Sequence, residues 1–112
     1  MTGLCVDLTN LRQITDDDRD LEVELFTEFI QSSTRIVSML EQSQGDDSQD
    51  IWSKSAHALK GISFNLGAAQ LGLLCQEAQE KASADASQKA VMLNNIQREH
   101  ANVIAFLNAQ LA

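Results

Sequence analysis

The sequence has 112 residues, of which 44% are apolar and 21% are charged, and its formal net charge at pH 7 is −8. This length corresponds to one domain, predicted to span residues 1–112, and the composition is that of a folded chain. The acidic excess argues against nucleic acids and anionic membrane surfaces as partners, because both require a basic contact surface.

The sequence also indicates the cellular location of the protein and the redox state of its two cysteines. No apolar run approaches the roughly 20 residues that cross a bilayer. The first ten residues have neither the basic start nor the apolar core of a secretory signal, so we expect a cytoplasmic protein. Cys5 and Cys75 are accordingly predicted to be free thiols rather than a disulfide.

The first two predicted helices differ in length. Leu8, Leu11 and Ile14 indicate a short helix, which the acidic residues 16–18 would end. A long helix is predicted from about Arg19 to Gln42. Its apolar stripe recurs at spacings of three and four and contains Leu25, Phe26, Phe29, Ser33, Ile36, Val37 and Leu40.

The third predicted helix follows a loop rich in Gly, Asp and Ser at residues 43–49, where Asp47 or Ser48 is the expected N-cap. The helix should end near Gly67, since glycine suits a left-handed C-terminal residue. At about 100° per residue, a helical wheel gives it one core face. That face contains Ile51, Trp52, Ser55, Leu59, Ile62 and Leu66.

Two more amphipathic helices complete the chain, separated by a linker at residues 82–87. The first has Leu71, Leu74, Cys75, Ala78 and Ala82 on one face. The second carries Met92, Leu93, Ile96, His100, Val103, Ile104, Leu107 and Leu111. Because no strand pattern appears, we predict an all-α fold: an antiparallel four-helix bundle with an additional short N-terminal helix across one end.

The outer face of the third helix holds the most informative group. His57 lies about 180° from the centre of the core face and should therefore face solvent. Lys60 and Gly61 follow at i+3 and i+4, where a lysine suits a phosphoryl group and a glycine leaves the imidazole accessible. A glycine inside a helix costs about 1 kcal/mol relative to alanine. The triplet is interpreted as a phosphorylatable histidine that a partner approaches.

The H-x-x-K-G spacing is also compatible with a chance surface histidine, so it is weak alone. His100 provides the contrast, because it lies within the apolar stripe of the last helix. It is predicted to be a partly buried histidine with a hydrogen-bond partner, or one near a bundle end, with no part in chemistry.

The residues that follow this triplet extend the pattern over a longer stretch of the sequence. Residues 57–80, HALKGISFNLGAAQLGLLCQEAQE, resemble the signature of histidine-containing phosphotransfer (Hpt) domains. The matching residues are His57, Leu59, Lys60, Gly61, Ser63, Leu66, Gly67, Ala68, Leu71 and Cys75.

The resemblance implies a site and partners. His57 would accept a phosphoryl group through Nε2 from a receiver domain's aspartyl-phosphate and pass it to another receiver's aspartate. Lys60 would compensate the phosphoryl charge, Gly61 would admit the receiver, and Gln79 is a further candidate beside the imidazole.

Other expectations concern docking and cofactors. Phe64 and Lys54 are the expected docking residues, and the two lysines beside His57 form an expected local positive spot. The chain lacks a glycine-rich phosphate loop, so we expect no ATP site and no autokinase activity. No cofactor or metal is expected on this chain, and Mg²⁺ is expected in the receiver. The resemblance implies a monomer whose partners are receivers of response regulators or hybrid kinases.

Three alternative functions differ from this one in the sequence features they require. A dimerising sensor-kinase domain usually has an acidic residue after its histidine and a nearby proline, whereas Ala58 follows here and proline is absent. A di-iron bundle needs inward Glu-x-x-His pairs, but the i−3 positions are Lys54 and Gln97. A helical adaptor that docks without carrying phosphate remains the alternative function.

Overall fold

The computed structural model describes residues 5–112. These residues form five α-helices and a short 3₁₀ turn, which confirms the all-α prediction for this part of the chain. The helices are α1 (Thr9–Thr15), α2 (Arg19–Glu41), α3 (Gln49–Leu66), α4 (Ala69–Glu80) and α5 (Ala86–Leu111), with the 3₁₀ turn at Asp46–Ser48.

The four long helices form a closed bundle. Helix α2 packs on α3, α3 on α4 and α4 on α5, and α5 returns to α2. One cluster of buried apolar side chains fills the space between them. The single domain predicted for residues 1–112 includes residues 1–4, which lie outside the described part. Within that part, none of the helices is both long and apolar enough to span a membrane.

Helix α1 lies at the end of the bundle where α2 begins and α5 ends. The Arg12 guanidinium donates to Glu22 at 3.3 Å and to the Gln110 side chain at 3.2 Å. The helix ends at Asp16, which has a left-handed φ of 49°. Asp18 then caps α2, since its carboxylate accepts the Leu21 N–H at 3.0 Å. The predicted boundary at the acidic cluster is confirmed.

Helix α2 buries the predicted stripe, with Leu25 only partly buried. Of the two residues predicted as the N-cap of α3, Ser48 is the one at that position. Asp47 lies inside the 3₁₀ turn, and Ser48 occupies the N-cap position without a side-chain capping bond. The 3₁₀ turn leads directly into α3, so the backbone at residue 48 is not in the extended conformation that favours capping.

Helix α3 ends as predicted at Gly67, whose φ is 100°. A Cβ on this glycine would lie 1.9 Å from the Asp7 carbonyl oxygen, so both the backbone angle and the close approach require glycine.

One residue of the predicted core face of α3 is wrong. Ile51 is 50% exposed, because it lies at the α2 edge of that face. Ala56 and Ser63, which the wheel did not assign to the core face, are fully buried.

The opposite end of the bundle is closed around Trp52. Its indole N–H donates to the Ala78 carbonyl of α4 at 2.9 Å. Lys89 of α5 is fully buried, and its Nζ lies 5.3 Å from the centroid of the Trp52 ring. That distance is within the range of a cation–π interaction. Sequence analysis did not place Lys89 in the interior.

Both cysteines are free thiols in the described chain, as predicted. Cys75 is fully buried between the helices, and burial raises the pKa of its thiol to about 12. It therefore packs as a small apolar side chain.

Candidate functional site

His57 occupies the outer face of α3 and is exposed to solvent, as the helical wheel predicts. Ser55 and Leu59, two residues to either side, are buried and hold the opposite face of α3 in the bundle. The imidazole is therefore fixed on a rigid helix while its ring remains open to a partner.

Helix α4 contributes a second polar group to the site. The Oε1 of Gln79 lies 3.3 Å from the Nδ1 of His57. A carboxamide oxygen only accepts hydrogen bonds, so in this arrangement Nδ1–H is the donor. The Nε2 nitrogen then keeps its lone pair.

Gln79 is positioned by its neighbour in α4. Ala78 is fully buried, and its carbonyl accepts the indole N–H of Trp52 from α3. This bond fixes α4 along α3 next to the position of Gln79. The sequence analysis named Gln79 only through the family resemblance, because sequence spacing alone does not show which α4 residue faces His57.

The two lysines near His57 differ in their contacts. Lys54 pairs with Asp50 at 3.0 Å, and both side chains are strongly exposed. Lys60 is partly buried and makes no ion pair with the described residues. The predicted positive spot is thereby reduced to Lys60, since Asp50 offsets the charge of Lys54.

Gly61 is exposed, and a Cβ placed on it would meet no described atom within 4 Å. The fold of the free chain therefore does not require glycine here. This contrasts with Gly67, whose backbone excludes any other residue. The open space at Gly61 adjoins His57 one turn along α3.

Phe64 is 42% exposed and lies beyond Gly61 on the same face. Its ring covers Gly72 of α4, where an added Cβ would come within 2.7 Å of the ring carbons. Gly72 thus sets how deeply Phe64 sits between α3 and α4. Sequence analysis missed this role, although a glycine inside a helix was a signal of close packing.

His100 has the structural role that was predicted for it. It is buried in α5, and its Nε2 lies 2.8 Å from the Ser33 hydroxyl of α2. Desolvation lowers the pKa of the imidazole below 6.5. This histidine joins two helices inside the bundle and is not accessible to a phosphoryl donor.

The candidate site combines an imidazole, an ammonium group and a carboxamide at the surface of α3 and α4. Over residues 5–112, no group of three or more His, Cys, Asp or Glu side chains is placed to hold a metal ion. The outer face of α3 instead offers His57, Lys60, Gly61 and Phe64, with Gln79 beside the imidazole.

Comparisons with known proteins agree with this geometry. The family described as "Hpt domain" matches residues 24–106, which include every residue of the candidate site. A similar solved structure is histidine-containing phosphotransfer protein B (HptB) from Pseudomonas aeruginosa PAO1. It has 22% sequence identity and a TM-score of 0.84, over 97% of this chain and 96% of that chain, and so shares the fold. A comparison with curated proteins gave no significant match.

Proposed function

The chain belongs to the Hpt domain family, and from this premise we propose that it carries phosphoryl groups in a multistep phosphorelay. His57 accepts the group from the aspartyl-phosphate of one receiver domain and passes it to the aspartate of another. The observation that carries the proposal is the exposed imidazole whose Nδ1 is held by Gln79 at 3.3 Å.

The chemical step uses the free nitrogen of His57. The Nε2 lone pair attacks phosphorus, and the N–P bond forms as the bond between phosphorus and the aspartate oxygen breaks. The carboxylate leaves with the electron pair, while Nδ1–H remains hydrogen-bonded to Gln79. The return step to a second aspartate follows the same path in reverse.

Lys60 and Gly61 support this step in different ways. The ammonium group of Lys60, which is not ion-paired within the described chain, compensates the negative phosphoryl oxygens. Gly61 leaves room for the receiver, and Phe64 offers an apolar contact beside it. Lys54 provides a further docking contact by exchanging its Asp50 partner for an acidic group of the receiver. The receiver supplies Mg²⁺, which neutralises phosphoryl oxygens.

This function needs no ATP site on the chain, because the receiver delivers an activated phosphoryl group. The protein is accordingly a carrier, and we propose that it works as a cytoplasmic monomer. The alternative, an adaptor that docks receivers without carrying phosphate, would use the same face of α3 but would not need a nucleophile.

A two-stage transfer experiment separates the relay from the adaptor. Receiver domains of the same organism, phosphorylated with labelled acetyl phosphate, are mixed with the chain, and the labelled chain is purified and given to a second receiver. The relay predicts label on the chain and then on the second receiver. Stable binding of receivers without any label on the chain would support the adaptor and contradict the proposal.

A further inference from the structure

Two pockets lie between α2 and α3, one nearer α1 and lined by Glu28, the other lined by Arg35. Their α2 walls contain Leu25, Glu28, Arg35 and Met39, and their α3 walls contain Ile51 and Ile62. We refer to these six residues as the α2–α3 furrow. Ala58 also lines the Arg35 pocket, so this pocket begins one residue from His57.

The furrow is apolar and open. Met39 is 42% exposed and Ile51 is 50% exposed, and both are among the large apolar side chains that the bundle leaves in solvent. Leu25 and Ile62 are partly buried further along the same two helices. Grouped apolar side chains at the surface indicate a contact surface, whereas single ones need no explanation.

The charged side chains along the furrow differ in sign between its two ends. Glu28 lies at the end near α1, and Arg35 lies seven residues further along α2, about 10 Å away on the same side of the helix. Neither forms an ion pair with the described residues. Lys54, near Arg35, is already paired with Asp50. One end of the furrow is therefore negative and the other positive.

We infer that this charge direction selects which receiver domains exchange phosphate with His57. The occupant is an apolar segment of the receiver that carries an acidic group facing Arg35 and a basic group facing Glu28. A receiver with the opposite arrangement places like charges together at both ends. This inference rests on the proposed function and adds the partner chemistry that the site prefers.

Arg35 and Glu28 are specificity residues under this inference and take no part in the chemical step. They lie at the rim of the contact, where charges act mainly on encounter and on the rejection of wrong partners. Their replacement should therefore change transfer between receivers and leave the intrinsic reactivity of His57 unchanged.

The test uses the double variant Glu28→Arg/Arg35→Glu, which reverses the direction of charge but keeps the net charge of the chain. Transfer is measured from a panel of receiver domains of the same organism, each phosphorylated with acetyl phosphate. We expect kcat/KM with the preferred receiver to fall about tenfold or more, as expected for opposed charges at an interface. Labelling of His57 by the small donor phosphoramidate should not change.

One control variant and two possible outcomes distinguish a failure of this inference from a failure of the proposed function. Arg98→Glu on α5 makes the same charge change as Arg35→Glu on a helix that does not line the furrow, and should transfer like the wild type. A double variant with wild-type kcat/KM for every receiver would overturn the inference while leaving the relay intact. A wild-type chain that takes label from phosphoramidate but from no receiver would overturn the proposed function and this inference together.

Discussion

The Nδ1 of His57 lies 3.3 Å from the Oε1 of Gln79, a residue 22 positions later in the sequence. The two residues meet because α3 and α4 pack along each other and the indole of Trp52 bonds to the Ala78 carbonyl. A neighbouring helix therefore sets which imidazole nitrogen keeps its lone pair. The hydrogen bonding of the exposed imidazole therefore depends on how α3 and α4 pack.

The first prediction concerns this hydrogen bond. Gln79→Leu keeps the size of the side chain but removes the acceptor, so Nδ1–H is no longer preferred. Transfer should slow about tenfold, the value of one hydrogen bond of about 1.4 kcal/mol. Nitrogen NMR of His57 should show a smaller fraction protonated at Nδ1. Gln76→Leu on the same helix is the matched control, and equal losses in both variants would contradict a specific role for Gln79.

Lys60 provides the second prediction. Lys60→Ala removes a charge-assisted contact to the phosphoryl oxygens, so transfer should slow by about 10- to 100-fold and the phosphohistidine should decay faster. The free energy of unfolding should change by less than about 0.5 kcal/mol, because Lys60 has no ion pair to lose within the described chain. Arg98→Ala serves as the charge control. Unchanged transfer and lifetime would remove Lys60 from the mechanism.

The third prediction is that replacing Gly61 stabilises the fold but slows phosphoryl transfer from receivers. Because an added Cβ meets nothing within 4 Å, Gly61→Ala should raise the free energy of unfolding by about 1 kcal/mol. The rate of phosphoryl transfer from receivers should fall in Gly61→Ala and fall further in Gly61→Gln. The labelling of His57 by phosphoramidate should stay the same in both variants. Denaturant titrations and transfer rates measure the two effects. A Gly61→Gln variant with wild-type transfer would show that no partner approaches this point.

The helices and the outward position of His57 followed from the sequence because both depend on local periodicity. The stripe of α2 and the glycine end of α3 are examples. The contact between His57 and Gln79 did not, because it depends on how two helices are aligned. The burial of Lys89 against Trp52 was missed for a related reason: lysine is normally an exposed residue, and only the tertiary packing gives it an aromatic partner.

The helical wheel of α3 predicted the centre of its core face more accurately than the edges. Trp52 and Leu59 are buried as the wheel predicts, but Ile51 is exposed at the furrow with α2. A wheel gives the direction of the apolar face, whereas the width of that face depends on how closely each neighbour packs. Ala56 and Ser63, outside the predicted face, are fully buried in the folded chain.

His100 gives a prediction about pH. Burial lowers the pKa of its imidazole below 6.5, so on acidification the unfolded chain takes up this proton before the folded chain does. The contribution of His100 to stability is therefore present above pH 6.5 and is lost as the pH falls below that value. His100→Gln should flatten the decline in the free energy of unfolding between pH 6.5 and the lower folded pKa. A variant with the same decline as the wild type would contradict this assignment.

The most direct test of the central claim uses the two histidines of the chain as each other's control. Wild type, His57→Gln and His100→Gln are incubated with the same labelled phospho-receiver, and acid-labile label on the chain is measured. We expect label on the wild type and on His100→Gln, at Nε2 of His57, and none on His57→Gln. Equal labelling of His57→Gln and the wild type would contradict the central claim.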